Sequence, residues 1–148
     1  LNLRFYLVGD IDLNNPTSLN NDEILQYKET SNVIFLGYRN DINKIYENSN
    51  IVVLPSYREG FPKSLIEGAA CGRAIVTTNV PGCRDAIIDG ETGILVEPKN
   101  SDELASAIEH LLKNKKKRLE MGIKSRKLAE KNYDINNVVE QHMKIYNI

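Results

Sequence analysis

Short apolar runs and stretches of helical periodicity alternate along this chain. The apolar runs are four or five residues long and are bounded by turn residues, and the continuous run 51–54 is typical of a strand buried on both faces of a parallel sheet. They predict strands at 4–8, 33–36, 51–54, 74–77 and 93–96. Between and after these runs, the periodicity predicts helices at 23–28, 41–47, 64–71, 119–131 and 137–146. The Asn- and Pro-containing stretch 11–21 is predicted to be a surface loop.

A further helix is predicted to begin after Asn100, because Asn100 and Glu103 have the spacing of a capping box. Its buried face is predicted to contain Leu104, Ala105, Ile108, Leu111 and Leu112. The basic run 113–118 is predicted to be a solvated turn, since most runs of charge are exposed. Strands that alternate with helices indicate an α/β fold with a parallel sheet and helices on both faces, followed by C-terminal helices.

Charge and cysteine content exclude several classes of function. Nineteen basic and twenty acidic side chains give a net charge of −1, which argues against a nucleic-acid partner. No apolar run approaches the length of a membrane span, and Leu1 does not begin a signal peptide. Cys71 and Cys83 match no zinc-binding pattern and are too few for a disulfide framework. These observations favour a cytoplasmic protein with free thiols.

The stretch 55–68 carries the candidate chemistry. It contains two acids, Glu59 and Glu67, with seven residues between them, and it follows the predicted strand 51–54. Ligands bind at the carboxyl ends of strands in open α/β sheets, and helix N-termini bind phosphate. Ser64 is predicted to be the N-cap of the following helix, which puts Glu67 at its third position. Both acids are therefore expected to face one groove at the edge of the sheet, next to Lys63.

Six segments of the chain carry a resemblance to a known family. They are VGD at 8–10, VIFLG at 33–37, PSYREGFP at 55–62, EGAACGRAIV at 67–76, VPGCRD at 80–85 and DGETG at 89–93. In this order they resemble the C-terminal domain of retaining family 4 glycosyltransferases of GT-B architecture. The resemblance covers nearly the whole chain and implies a Rossmann-like fold. It also implies that residues 1–148 are a single donor-binding domain, truncated at its N-terminal edge and separated from an acceptor domain.

The family motif implies a role for each matching residue. Glu59 would be the catalytic residue that contacts the transferred sugar and stabilises positive charge at its anomeric carbon. Glu67 would bind the ribose hydroxyls, since ionised carboxylates accept such hydrogen bonds well. Gly60 would let the backbone approach the sugar closely. The remaining donor-binding residues would be Phe61 and Pro62, the diphosphate-binding Lys63, Ser64 and Leu65, and, at the nucleobase pocket, Gly37, Tyr38 and Arg39.

Four of these residues also have simpler interpretations. Glu67 can close a capping box with Ser64, and Glu59 can be a solvated loop acid. Phe61 can be part of the core, and Lys63 can be a surface lysine. The Asp-x-Asp pattern of residues 10–12 resembles a metal site of another glycosyltransferase architecture, but it ends the first strand where this family has Gly-Asp, so no metal is predicted there.

The resemblance implies that the complete enzyme transfers a hexose or N-acetylhexosamine from a UDP-linked sugar, with retention of configuration. It implies no metal or other cofactor, and a cytoplasmic location at the inner face of the membrane. Residues 12–18, Pro62, Lys63 and Cys83 are similar to those of bacterial enzymes that build capsule, O-antigen or lipid-linked glycans. The isolated chain would transfer little or no sugar, because the acceptor domain and a basic diphosphate-binding segment precede this region in the family.

Two other functions remain open from the sequence. One is a non-catalytic module that binds nucleotide sugars, although such a module gains little from an acid at the sugar. The other is a two-component transferase in which a separate chain supplies the N-terminal half. A dinucleotide-dependent oxidoreductase is not supported, since no Gly-x-Gly-x-x-Gly follows the first strand.

Overall fold

The computed structural model describes residues 3–12, 14, 18–30 and 32–146, with only the backbone described for residue 30. The chain divides into two compact units, Leu1–Ile42 and Asn43–Ile148. All strand pairs in the described residues are parallel, and they form one two-stranded and one three-stranded sheet. The α/β class predicted from the alternating elements is confirmed.

The first unit contains strand β1 (Phe5–Leu7), helix α1 (Asn21–Thr30) and strand β2 (Val33–Phe35). α1 begins earlier than predicted because Asn20 and Glu23 form a reciprocal cap, each backbone N–H donating to the other side chain at 2.8–2.9 Å. The strand predicted at 4–8 is confirmed as β1, and its side chains are 41–47% exposed. Asn15 and Pro16, part of the predicted loop, lie outside the described residues.

Helix α2 (Ile42–Asn48) leads into the second unit, whose sheet has the order β3 (Ile51–Leu54), β4 (Ala74–Thr78) and β5 (Gly93–Val96). The bounds predicted for the strands at 51–54 and 93–96 match those of the structure. β4 is the central strand and is buried along its whole length. Because the strands are parallel, the segments that follow all three of them leave the sheet at the same edge.

Five helices belong to the same unit: α3 (Lys63–Ala70), α4 (Cys83–Ala86), α5 (Ser101–Lys113), α6 (Lys115–Asn132) and α7 (Ile135–Tyr146). They cover both faces of the sheet. On one face, alternate strand residues pack with α5 and α6 in a core of Ala74, Val76, Val96, Ala107, Leu111 and Met121. On the other face, Val52 packs against Gly68 of α3, where an added methyl group would lie 2.8 Å from a Val52 methyl carbon.

The predicted turn at 113–118 is wrong, because α6 already begins at Lys115. Arg118, in its first turn, donates to the carbonyl oxygens of Leu111 and Leu112 at 2.8 and 3.2 Å. These carbonyls belong to the last turn of α5 and have no intrahelical donor, so the basic run completes one helix while it begins the next. The short helix α4 was not predicted from the sequence.

The beginning of α5 is confirmed: the Asn100 side chain accepts a hydrogen bond from the Glu103 N–H at 3.0 Å. The Glu103 carboxylate, however, binds the Asn100 side-chain amide and the Glu97 N–H, so the second half of the box differs from expectation. Ala105 is exposed, and Ala107 lies in the core in its place. Cys71 and Cys83 are free thiols, as predicted. In the part of the chain described, no helix combines the length and the apolar character needed to cross a membrane.

Candidate functional site

The loop 55–62 connects β3 to α3 at the carboxyl edge of the three-stranded sheet. Two threonines at the end of β4 bind the beginning of this loop. The Thr77 hydroxyl donates to the Leu54 carbonyl oxygen at 2.8 Å, and the Thr78 hydroxyl donates to that of Ser56. Because β4 is buried, the loop starts from a fixed position. The sequence analysis did not identify these threonines, although two polar residues end an otherwise apolar run.

The turn that follows β4 packs directly against the same loop. Gly82 has φ +81°, and an added Cβ would lie 2.2 Å from the Gly60 carbonyl oxygen and 2.7 Å from that of Glu59. Only glycine fits this position, since other residues would be strained and would displace the loop. The Gly82 N–H donates to the Asp85 carboxylate at 3.3 Å. The segments that follow β3 and β4 therefore form one packed surface.

Glu59 is half-buried in the loop, and Glu67 is half-buried on α3. Among the described residues, neither carboxylate has a hydrogen-bond donor or a cation as partner. Glu67 lies near the buried phenol of Tyr46. Burial and then the Glu67 charge raise the pKa of Tyr46 to about 12. Burial, Glu47 and more weakly Glu67 also raise the pKa of the Cys71 thiol. Both acids therefore retain free acceptor capacity, as ligand-binding carboxylates require.

Helix α3 begins one residue earlier than predicted. Pro62 occupies the N-cap position with φ −73°, and no side chain caps the helix. Ser64 is therefore not the N-cap, Glu67 is the fifth helical residue, and the two form no capping box. Pro62 has an extended backbone, with φ −73° and ψ 114°, as is usual for an N-cap residue, and its ring offers no acceptor to the first N–H groups of the helix.

The predicted diphosphate-binding amides divide into two groups. The Leu65 N–H donates to the Pro62 carbonyl oxygen at 3.1 Å, so it is already satisfied within the turn. Within the described part of the chain, the N–H groups of Lys63 and Ser64 have no acceptor, and the Lys63 side chain is exposed and unpaired. Two amides and one ammonium group therefore remain available to an anion at this helix terminus.

Phe61 and Gly60 have different surroundings. The Phe61 ring is 46% exposed and contacts the ring of Tyr133 edge to face, with 5.3 Å between ring centroids and 70° between ring planes. The interpretation of Phe61 as packing is thus correct in part, since one edge is packed and the rest is exposed. At Gly60, an added Cβ would meet no atom within 4 Å, so the space in its side-chain direction is free, although its carbonyl group packs against Gly82.

The three nucleobase-pocket residues belong to the Leu1–Ile42 unit. Gly37 adopts φ +62°, and the Tyr38 N–H donates to the Asp10 carboxylate at 3.0 Å, while the Tyr38 side chain is 76% exposed. Arg39 makes two 2.8 Å bonds to Asp41, which raise the pKa of Arg39. Their role at a nucleobase stays a prediction.

No cluster of three or more His, Cys, Asp or Glu side chains suited to a metal ion occurs in the residues described. The carboxylates of residues 10–12 have backbone partners: Asp10 accepts from the Tyr38 N–H and Asp12 from the Asn14 N–H. His110 and His142 are exposed.

A family model described as "Glycosyl transferases group 1" matches residues 2–128. The chain belongs to this family. The resemblance drawn from the six sequence segments is confirmed, and the loop 55–62 with the beginning of α3 lies within the matched part of this glycosyltransferase domain.

Curated relatives share this domain. The chain is 37% identical over 142 residues to N,N'-diacetylbacillosaminyl-diphospho-undecaprenol alpha-1,3-N-acetylgalactosaminyltransferase of Campylobacter jejuni, a match that covers 96% of this chain and 36% of the relative. It is 30% identical over 146 residues to the capsular polysaccharide biosynthesis glycosyltransferase CapM of Staphylococcus aureus, covering 99% and 38%. The chain therefore spans little more than a third of the length of these relatives.

Solved structures have the same fold. HepE of Anabaena in complex with UDP superposes with a TM-score of 0.90 at 23% identity, covering 98% of this chain and 41% of that protein. A mutant of S. aureus TarM in complex with fondaparinux, alpha-GlcNAc-glycerol and UDP superposes with a TM-score of 0.84 at 26% identity, covering 99% and 29%. These likenesses agree with the parallel α/β architecture described above.

Proposed function

We propose that this chain is the donor-binding domain of a retaining glycosyltransferase that uses a UDP-linked hexose or N-acetylhexosamine. The observation that carries the proposal is the surface formed by loop 55–62 and the beginning of α3. Among the described residues, the Glu59 and Glu67 carboxylates of this stretch have no hydrogen-bond donor or cation as partner, and the N–H groups of Lys63 and Ser64 have no acceptor. A nucleotide sugar needs both kinds of group, since it carries hydroxyl donors at each end and an anionic diphosphate between them.

Each part of this surface has a proposed role. The α3 N-terminus and the Lys63 ammonium bind the diphosphate and stabilise the negative charge that grows on it as the sugar leaves. Glu67 accepts hydrogen bonds from the ribose hydroxyls. Glu59 faces the transferred sugar and stabilises positive charge at the anomeric carbon, while the open backbone at Gly60 leaves room for the sugar. We propose that the acceptor attacks from the face that UDP leaves, which retains the configuration, and that no metal is needed.

The relatives support the choice of donor and acceptor class. The C. jejuni relative is named for N-acetylgalactosamine transfer to an undecaprenol-diphosphate-linked sugar, and CapM for capsule synthesis. The TarM structure contains UDP. We therefore propose UDP-N-acetylgalactosamine as the first donor to test and a surface or lipid-linked glycan as acceptor. With such an acceptor, we propose that the reaction takes place at the cytoplasmic face of the membrane. The acceptor site is proposed to lie in another part of the complete protein.

Calorimetry with UDP and UDP-N-acetylgalactosamine tests the donor site in the complete natural protein that contains these residues. Glu67→Gln should weaken binding of both ligands about tenfold or more, because a charge-assisted hydrogen bond contributes about 1.5–3 kcal/mol. Glu59→Gln should weaken only the sugar nucleotide, because UDP does not reach that side chain. Glu120→Gln, an exposed acid on α6, is the matched control and should change neither.

Two results would contradict the proposal: no binding of either ligand to the wild type, or unchanged binding after Glu67→Gln. A turnover assay with product analysis by NMR then separates a transferase from a non-catalytic binding module, and it reports whether configuration is retained. The isolated 148-residue chain should bind UDP weakly and transfer little sugar.

A further inference from the structure

Tyr133 connects the C-terminal helices to the loop that carries Glu59. It is the C-cap residue of α6, and its backbone N–H donates to the Ala129 carbonyl oxygen at 2.9 Å. This bond fixes the backbone of Tyr133 to the end of an 18-residue helix, from which its ring extends. The ring meets Phe61 edge to face at 5.3 Å, a favourable geometry for two aromatic side chains.

The Tyr133 hydroxyl binds a second element of the same surface. It donates to the Asp85 carbonyl oxygen in α4 at 3.1 Å. The Asp85 carboxylate in turn accepts the Gly82 N–H, and Gly82 packs against the backbone of Glu59 and Gly60. The contacts thus close into a circuit that runs from Tyr133 through Phe61 and the loop to the turn after β4, and back through Asp85.

The ring and the hydroxyl of Tyr133 contact different elements of this circuit. The ring contacts Phe61 in the loop, and the hydroxyl contacts Asp85 in α4, whose N-cap residue Gly82 packs against the loop. Burial and the Asp85 charge raise the pKa of Tyr133, so the hydroxyl keeps the proton that it donates at neutral pH. A residue that touches both elements resists their separation, and the backbone of Glu59 packs against Gly82 where they meet.

We propose that Tyr133 is a positioning residue that fixes segment 59–61 against turn 81–85, so that the Glu59 carboxylate meets the transferred sugar. The inference rests on the proposed function of Glu59. It differs from a purely structural role because it predicts selectivity. Loss of the Tyr133 contacts should affect the sugar end of the donor and spare the UDP end, which α3 and Glu67 bind.

The test compares Tyr133→Leu and Tyr133→Phe with Tyr146→Leu in the complete natural protein. Tyr146 is 67% exposed on α7 and serves as the matched tyrosine control. Calorimetry measures dissociation constants for UDP and for UDP-N-acetylgalactosamine. Tyr133→Leu should weaken binding of the sugar nucleotide about two- to tenfold while UDP binding changes less than twofold, as expected for loss of one aromatic pair. Tyr133→Phe keeps the ring contact and loses the bond to Asp85, so its effect should be smaller and in the same direction.

Steady-state kinetics supply the second measurement. Tyr133→Phe should lower kcat at saturating donor, because Glu59 is less well placed in the reacting state, and Tyr146→Leu should not. Equal weakening of UDP and the sugar nucleotide would overturn the inference, since that result indicates general destabilisation. Unchanged sugar-nucleotide binding and kcat in both Tyr133 variants would also overturn it while leaving the proposed function intact. A wild type that binds neither ligand would overturn both proposals.

Discussion

Replacement of Gly82 by alanine should separate the two loops of the proposed donor site. The new methyl carbon would lie 2.2 Å from the Gly60 carbonyl oxygen and 2.7 Å from that of Glu59, well inside contact distance. At φ +81° the alanine backbone is also strained. The strain costs about 1–3 kcal/mol. The overlap costs about 1–3 kcal/mol more, as in other overpacked sites.

Gly90→Ala is the matched control, because Gly90 also has a positive φ, +73°, but an added Cβ there meets no atom within 4 Å. Urea unfolding of both variants separates the overlap from the backbone strain. Gly82→Ala should lower the free energy of unfolding by about 1–3 kcal/mol more than Gly90→Ala, the size expected of overpacking alone. Because relief of the overlap must move the backbone of Glu59, the same variant should also lose affinity for UDP-N-acetylgalactosamine relative to UDP.

Equal behaviour of the two glycine variants would refute this reasoning. If Gly82→Ala and Gly90→Ala lowered the free energy of unfolding equally, and both kept wild-type discrimination between UDP and the sugar nucleotide, the turn after β4 would not determine the position of Glu59. The contact circuit proposed for Tyr133 would then lose one of its connections, since Gly82 joins Asp85 to the loop.

Two further predictions concern α3 and its neighbours. Gly68→Ala should lower the free energy of unfolding by up to about 2 kcal/mol, because overlap with Val52 outweighs the gain in helix propensity. In a Val52→Ala background, where the overlap is relieved, the same Gly68→Ala change should instead raise the free energy of unfolding. Urea unfolding of the single and double variants measures this, and an equal effect of Gly68→Ala in both backgrounds would contradict it. The raised pKa of Tyr46, about 12 against 10, means that the folded state holds this proton more tightly, so stability is present below pH 10 and falls as pH rises towards 12. In thermal melts from pH 10 to pH 12, the Tm of Tyr46→Phe should fall less than the Tm of the wild type. An equal fall in both proteins would show that the pKa of Tyr46 is the same in the folded and the unfolded state.

Much of the fold follows from local sequence patterns. The buried runs 51–54 and 93–96 gave strands with the predicted bounds, because a strand buried on both faces leaves a continuous apolar run. Asn100 was identified correctly as a cap, since its hydrogen bond involves a residue only three positions away. Errors arose where distant contacts decided the outcome. The basic run is helical from Lys115, with Arg118 donating to carbonyls of the preceding helix, and Ala107 lies in the core where Ala105 was expected.

The candidate site shows the same division. The spacing of Glu59 and Glu67 and the strand-to-helix junction were visible in the sequence, as was the family that they indicate. The N-cap of α3 was misplaced by two residues, because Ser64 is a common N-cap residue and Pro62 occupies that position instead. The satisfied amide of Leu65 could not have been anticipated, since the choice of acceptor depends on how tightly the first turn winds.

The sequence by itself determined the order of the strands and of the helices other than α4, the position of the acidic motif, and membership in the glycosyltransferase family. Each depends on residues close together in the chain, whose spacing records burial and local hydrogen bonding. Only the tertiary structure decided that Thr77, Gly82 and Tyr133 support the loop that bears Glu59, and that Glu67 lies near Tyr46. These contacts join residues from different elements, and they depend on strand register and helix packing, which no local pattern of hydrophobic and polar residues specifies.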